Sequence, residues 1–231
     1  MDAAAAIDWR TAQRVGELVA GSPPAGSMQV RAVQPLAHEF ARRVSEYTGL
    51  QPEGELPQLE AVDRPGWIAA NLATMRPVLA SLRGPGGAAE GRDGLSGSLR
   101  SVSGHLLGAQ LGGVTGLLSQ RVLGQYDVAL LDSSTPARLL LVEPNLLAAC
   151  RTLKVDREEL VAWVAIHEIT HAVQFSGVPW LREHLAGMLR ELLRGLQVSL
   201  LSGEHEAAEG GRAGSAEGRD AGQEGCGAGE E

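Results

Sequence analysis

Apolar side chains recur every three to four residues along most of the chain, the spacing that places them on one face of an α-helix. The first such stretch follows Asp8, a capping residue, and runs to Ala20, and the second ends at Gly49. A later one contains Pro77, which is expected to kink its helix. Helices are predicted over residues 8–20, 30–49, 63–82, 106–127, 145–153, 156–178 and 179–201. The chain is therefore expected to be mainly helical.

One stretch has a different pattern. Residues 127–145, DVALLDSSTPARLLLVEPN, contain two short apolar runs on either side of a Ser-Ser-Thr-Pro turn, which predicts a β-hairpin. Its strands are placed near Val128 to Leu131 and near Leu139 to Val142. The predicted fold class is mainly α, within α+β, with one small hairpin.

Glycines interrupt the apolar pattern that begins at residue 106, at Gly108, Gly112, Gly113 and Gly116. Each glycine inside a helix costs about 0.5 to 1 kcal/mol relative to alanine. Their number indicates a helix that packs closely against another backbone, and simple flexibility is the alternative.

Two segments lack any periodicity. Residues 83–98 are rich in glycine and predict a flexible loop. Residues 202–231 contain nine glycines and eight acidic residues against two arginines, with almost no large apolar side chain, which predicts a disordered acidic tail. The expected organisation is one domain over residues 1–201 followed by this tail.

The stretch VAWVAIHEITHAVQF, residues 161–175, carries the candidate chemistry. His167 and His171 are four residues apart, so on a helix both imidazoles lie on one side. A tetrahedral Zn²⁺ binds histidine nitrogens at about 2.0 to 2.1 Å, needs a third protein ligand and keeps one position for water. Glu168 can take a proton from that water and pass it to a leaving amine. The spacing predicts a zinc site with His167 and His171 as ligands and Glu168 as the general base.

The alternative is a pair of hydrogen-bonded core histidines, because this five-residue motif also occurs by chance. The metal hypothesis is favoured because the helix is unusually apolar, with Val161, Val164 and Ile169, and burial would penalise the histidines and glutamate unless a partner satisfied them. His38 and His105 are isolated in the sequence. His184 lies on the next predicted helix, where a solvated position is as consistent with the pattern as an approach to the site.

Charge and cysteine usage exclude several classes of function. The net charge is −8, about −6 of it in the predicted tail, and no basic stripe is present, so nucleic acid is not an expected partner. No apolar run approaches the roughly 18 residues of a membrane helix, so no membrane association is expected. Only Cys150 and Cys226 occur, and the N-terminus resembles no signal or transit peptide, which together favour a cytoplasmic protein. No phosphate- or dinucleotide-binding motif is present.

Five stretches carry a resemblance to a known family: DRPGW, RVLGQYD, LLLVEPN, WVAIHEITHAVQF and PWLREHL. In this order they resemble the zincin-like zinc metallopeptidases or hydrolases that are common in actinobacteria and are sometimes labelled as associated with deazaflavin-cofactor biosynthesis. The resemblance runs from about Asp8 to Leu201. It implies a helical zincin-like domain with His167 and His171 as metal ligands and Glu168 as the general base.

The third ligand is open. Glu191 follows His171 by twenty residues, as in thermolysin-type enzymes, but Arg190 stands where those enzymes have asparagine. Glu204 lies in the predicted tail, and the site could also lack a third ligand. Relatives continue further and carry a later Glu-Gly motif, so we expect this chain to be truncated, or shifted in reading frame, near Leu201.

Two functions are compatible with these observations. The first is a zinc-dependent hydrolase, most simply a peptidase, with the strand at Leu139 to Val142 beside the cleft and paired with an extended substrate. The second is a catalytically inactive zincin-like scaffold or interaction protein with an incomplete metal site. The sequence identifies neither the substrate, a peptide or a small molecule, nor the oligomeric state.

Overall fold

The computed structural model describes residues 7–22, 35–81, 94–132 and 134–195. Helices account for most of these residues, in agreement with the predicted class. The elements, in chain order, are α1 (Trp9–Ala20), α2 (Ala37–Thr48), β1 (Leu59–Val62), α3 (Arg64–Ser81), α4 (Gly94–Ser119), β2 (Gly124–Asp127), β3 (Arg138–Val142), α5 (Glu143–Leu153) and α6 (Arg157–Gly177). A further helix, α7, is described over residues 179–195. No helix among the described residues is long and apolar enough to cross a membrane.

The chain divides into two compact units, Met1–Gly187 and Met188–Glu231. Within the second unit only residues 188–195 are described, and they are helical. The predicted acidic tail over 202–231 lies outside the described residues. The predicted loop over 83–98 lies outside them up to residue 93, and α4 already begins at Gly94.

The three strands form one sheet in the order β1-β3-β2. The predicted hairpin is present, because β2 pairs antiparallel with β3, with Tyr126 opposite Leu139. Its first strand lies at residues 124–127 rather than at Val128 to Leu131, so that position was wrong. The strand β1 was not predicted: four residues are too few for a clear alternation, and β1 forms by parallel pairing with β3 about eighty residues later in the chain.

Two polar side chains of β2, Gln125 and Asp127, explain why this strand lies at residues 124–127. Trp67 donates from its indole Nε1 to Gln125 Oε1 at 2.7 Å, and the Thr74 hydroxyl lies 3.3 Å from both carboxylate oxygens of Asp127. Hydrogen bonds from Trp67 and Thr74 of α3 satisfy the side chains of Gln125 and Asp127. A strand assignment that rests on alternating apolar residues alone would leave these two polar residues out.

The central strand β3 is buried on both faces. Leu140 and Val142 pack with Trp67, Ile68 and other residues of α1 and α3. Leu139 and Leu141 face the opposite side, where they pack against α5 and α6 with Phe40 of α2. A run of apolar residues is typical of a strand covered on both sides. The sheet therefore lies between two helical layers, and α6 packs directly on it.

The helices α1 and α4 approach at glycines, as the number of glycines in this stretch indicated. A Cβ at Gly116 would lie 2.5 Å from the Gly16 carbonyl oxygen, and one at Gly108 or Gly112 would overlap the backbone carbonyls of Asp8 or Ala12. These contacts favour close packing over flexibility for three of the four glycines. Gly113 has no atom within 4 Å of the added Cβ and takes no part in the contact.

Arg64 and Asn145, which belong to the stretches that carry the family resemblance, connect the ends of α1 and α4 by hydrogen bonds. Asn145 is buried and donates from Nδ2 to the carbonyl oxygens of Ser119 and Val122 at 2.7 and 2.6 Å. Arg64 donates from Nε to Asn145 Oδ1 and from Nη1 to the Ala20 carbonyl. The arginine of DRPGW and the asparagine of LLLVEPN therefore satisfy carbonyls that the last turns of α1 and α4 leave unpaired.

Candidate metal and hydrolytic site

The helix α6 begins at the predicted cap. The Asp156 carboxylate accepts hydrogen bonds from the amides of Glu158 and Glu159, and the helix ends at Gly177, immediately before the Val178-Pro179 pair. Its inner face buries Val161, Val164, Ala165, Ile169, Ala172 and Val173. Its outer face presents Trp163, Ile166 and His167 to solvent.

The two histidines lie together on the accessible side of α6. The centroids of the His167 and His171 rings are 4.9 Å apart, and the rings meet edge to face at 89°. His167 is exposed and His171 is half-buried. The exposure of His167 does not fit a core histidine, and this ring does not suffer the burial penalty that the apolar helix suggested, whereas His171 is partly shielded.

Trp163 lies next to the two imidazole rings on the same side of α6. Trp163, one turn before His167, stacks on its imidazole with 5.9 Å between centroids and 18° between planes. Trp163 remains 64% exposed despite this contact. His171 Nδ1 lies 3.3 Å from Gln174 Oε1 on the other side of the pair. The three rings therefore present indole and imidazole surface along one open stripe of the helix.

Glu168 is placed differently from the histidines. It is only 6% exposed, and its Oε2 accepts a hydrogen bond from the Tyr126 amide of β2 at 2.8 Å. Burial raises the pKa of the Glu168 carboxyl above its ordinary value, against the opposing effects of the Tyr126 amide and of His167 and His171. A carboxyl with a raised pKa beside two imidazoles is a typical arrangement for a group that exchanges protons.

Gly124 makes room for this carboxyl group. A Cβ at Gly124 would lie 2.8 Å from Glu168 Cγ, 2.9 Å from Glu168 Oε1 and 2.8 Å from Val164 Cγ1. No real Cβ makes such contacts without a shift of its neighbours. The sequence analysis missed these contacts of Gly124 and Tyr126 with Glu168, although a glycine within a strand signals close approach of another group.

The end of α7 that precedes Gly187 is joined to the loop after β2. Arg182 of the PWLREHL stretch donates from Nη2 to the carbonyl oxygens of Ala129 and Asp132, at 2.5 and 3.0 Å. Burial raises the pKa of the Tyr126 hydroxyl, and the nearby Arg182 charge opposes that rise. Tyr126 also contacts Phe175 of α6, with 5.5 Å between ring centroids. The arginine thus stabilises the segment that follows the Glu168 contact.

The three other candidate histidines of the first unit have surroundings of their own. Among the described residues, no group of three or more His, Cys, Asp or Glu side chains is arranged to hold a metal ion. Glu191 belongs to the second unit, and Glu204 lies outside the described residues. His38 is exposed on α2, His105 lies 3.8 Å from the Asp8 carboxylate, and His184 contacts Trp180.

The expected pairing of a substrate with Leu139 to Val142 is wrong. These residues form the central strand β3, whose two edges are already paired with β1 and β2. A substrate strand therefore has no place beside β3, because an extended chain adds to a sheet only at an edge strand.

The chain matches the family model described as zincin-like metallopeptidase over residues 7–213, and it therefore belongs to that family. A solved structure of a proposed hydrolase with a novel fold from Chloroflexus aurantiacus is similar to it, with 27% sequence identity and a TM-score of 0.59. The match covers 81% of this chain and 59% of the Chloroflexus chain, so this protein spans less than two thirds of its length. A comparison with curated proteins gives no match.

The side chains that are present fit part of a zinc site. Two neighbouring imidazoles on one helix, both reachable from solvent, are suitable donors for one Zn²⁺ ion. The third protein ligand is not supplied by the described residues.

Proposed function

We propose that this protein is a zinc-dependent hydrolase, most simply a peptidase, in which His167 and His171 hold the metal and Glu168 is the general base. The observation that supports this best is the difference in burial between the two histidines and Glu168, which lie within one helical turn. The imidazoles are accessible, while the glutamate between them is buried and hydrogen-bonded to β2. Membership of the zincin-like metallopeptidase family agrees with this assignment.

When bound, the zinc ion would supply Lewis-acid polarisation of a substrate carbonyl and a lowered pKa for water. Glu168 supplies proton transfer. Its carboxylate accepts a proton from the attacking water, and the resulting carboxylic acid donates that proton to the leaving amine. Burial raises the pKa of this carboxyl group, and the Tyr126 amide, His167 and His171 oppose that rise.

The substrate is proposed to approach from the open stripe of α6. Trp163 and Ile166 are exposed there beside His167, and they offer apolar contact to a peptide or a small molecule. Nucleic acid and membrane surfaces are not proposed as partners, because the sequence carries a net charge of −8 and no basic stripe.

The substitution Glu168→Gln tests the mechanism. Glutamine preserves the size of the side chain and can still accept the Tyr126 hydrogen bond, but it cannot carry the proton. Hydrolysis of a mixed fluorogenic peptide library is expected to fall by roughly 10² to 10⁴, while zinc stoichiometry, measured by elemental analysis after reconstitution, stays near that of the parent protein. Equal turnover by both proteins would exclude Glu168 as the base.

The alternative function is an inactive zincin-like scaffold. It is favoured by the lack of a third ligand among the described residues. Under this alternative, reconstituted protein binds substoichiometric zinc, and Glu168→Gln changes only local packing. Under this alternative, neither Glu191 nor Glu204 serves as a third ligand for zinc.

The finer assignments stay predictions. They are a cytoplasmic location, which rests on cysteine usage, and an actinobacterial origin with a link to deazaflavin-cofactor biosynthesis, which rests on the resemblance alone.

A further inference from the structure

We infer that β2 positions the general base: the outer edge of this strand, at Gly124 and the Tyr126 amide, forms a seat for the Glu168 carboxylate. Gly124 is then a positioning residue of the hydrolytic site. The catalytic part of this inference rests on the proposed function, whereas the seat itself can be tested without any activity.

The ladder geometry shows that the seat faces away from the sheet. The Val142 amide donates to the Leu123 carbonyl at 2.9 Å, so Leu123 faces β3. Backbone groups of an antiparallel strand alternate in direction, and therefore Gln125 also faces β3, while Gly124 and Tyr126 face outward. The outward Tyr126 amide is the group that donates to Glu168.

The need for glycine at position 124 comes from space and not from backbone conformation. Gly124 lies within an ordinary strand, where any residue can adopt the extended backbone. The obstacle is the side chain itself, because a Cβ would meet Glu168 Cγ and Oε1 and Val164 Cγ1 within 3 Å. An alanine here would therefore push the carboxyl group away from the Tyr126 amide.

The contacts with β2 affect the catalytic geometry because an unrestrained glutamate side chain samples several rotamers. Burial between α6 and β2 and one hydrogen bond fix the carboxylate in one of them. A displacement of about 1 Å in a reacting group can reduce a rate by roughly 10²-fold. The same contact means that a peptide cannot pair with β2 at Tyr126 while Glu168 is seated.

The test compares Gly124→Ala with Gly113→Ala in the full chain. Gly113 is a matched control, because an added Cβ there meets no atom within 4 Å. The first measurement is native-state hydrogen exchange at the Tyr126 amide, with Gln125 as the internal reference. We expect Glu168→Ala and Gly124→Ala to accelerate exchange at Tyr126 by at least about tenfold relative to Gln125, and Gly113→Ala to leave it unchanged.

The second measurement is hydrolysis of the fluorogenic peptide library by reconstituted protein. Gly124→Ala is expected to lower kcat by roughly 10- to 100-fold, with KM and zinc affinity within about twofold of the parent. A merely structural defect would change all three. The double variant Gly124→Ala with Val164→Ala removes the Val164 contact and leaves the Glu168 contact, so it keeps the test valid if the single variant folds poorly; Val164→Ala alone is its control.

The outcomes separate the two proposals. If the Tyr126 amide stays protected from hydrogen exchange in Gly124→Ala, the inferred seat for the Glu168 carboxylate is wrong. If the Tyr126 amide loses its protection but kcat is unchanged, Gly124 does not position the general base. A parent protein that hydrolyses none of the peptides overturns the proposed function and the catalytic part of this inference, while the exchange result still supports or overturns the seat.

Discussion

The imidazole rings of His167 and His171 meet edge to face with 4.9 Å between their centroids, on the open side of α6. The four-residue spacing on one helix places both imidazoles on the same side of α6, where we propose that they bind one zinc ion. The pair needs no change in the backbone, because both residues lie within a regular helix.

Removal of either ring is therefore expected to weaken zinc binding. In His167→Ala or His171→Ala, the zinc affinity measured by calorimetry should fall by at least about tenfold, since a first ligand matters at least as much as its supporting groups, whose loss costs about 10- to 100-fold. His38→Ala, an exposed histidine on α2, serves as the control and should bind as the parent does. Equal affinity in all three variants would place the metal elsewhere.

Trp163 is expected to report metal binding by its fluorescence. It stacks on His167 at 5.9 Å, so a paramagnetic Cu²⁺ ion held by the histidine pair should quench its emission. Trp163→Phe should abolish most of the Cu²⁺-dependent quenching. Trp180→Phe is a matched control, because Trp180 is also 64% exposed and contacts the histidine four residues later. Quenching that disappears in Trp180→Phe instead would locate the ion at His184.

The close contact between α1 and α4 predicts opposite effects for two adjacent glycines. Gly112→Ala would place a Cβ against the Ala12 carbonyl, so it should lower the free energy of unfolding by about 1 to 3 kcal/mol. Gly113→Ala meets no atom and should raise it by about 0.5 to 1 kcal/mol, since alanine favours the helix. Urea denaturation of both variants measures the difference. Equal stabilities would mean that the helices do not approach at Gly112.

The buried carboxyl group of Asp127 predicts a dependence of stability on pH. Burial raises its pKa above the ordinary 3.8, against opposing hydrogen bonds from Thr74. The folded state therefore holds this proton more tightly than the unfolded state, and the stabilisation by the protonated form is lost as pH rises from about 3.8 through the raised pKa. Asp127→Asn should be more stable than the parent at neutral pH, and this advantage should shrink on acidification.

Asp132 provides a control of opposite sign for that measurement. Hydrogen bonds from Ser134 and Thr135 lower the pKa of Asp132 from 3.8 to about 2. Its ionised form is therefore the stabilising one, and that contribution is present above about 3.8 and is lost as pH falls toward 2. Asp132→Asn should be less stable than the parent at neutral pH. Denaturant titrations at several pH values would contradict both expectations if the two variants changed in parallel.

Most helices could be predicted because their signals are local. The cap at Asp8, the cap at Asp156 and the Val178-Pro179 break act within a few residues, and each lies where the sequence placed it. The glycines of α4 likewise indicated a close helical contact, although the partner α1 was not identified. The sheet was harder, because β1 and the polar end of β2 exist through partners on β3 and α3.

The same division holds within the candidate site. The sequence by itself determined that His167 and His171 lie on one side of α6, because four residues make about one helical turn whatever the rest of the chain does. Only the tertiary structure decided that Glu168 is buried on Tyr126 and that Gly124 leaves it room, since these contacts join residues more than forty positions apart. Local spacing fixes directions on a helix, whereas the packing of β2 on α6 fixes what those directions meet.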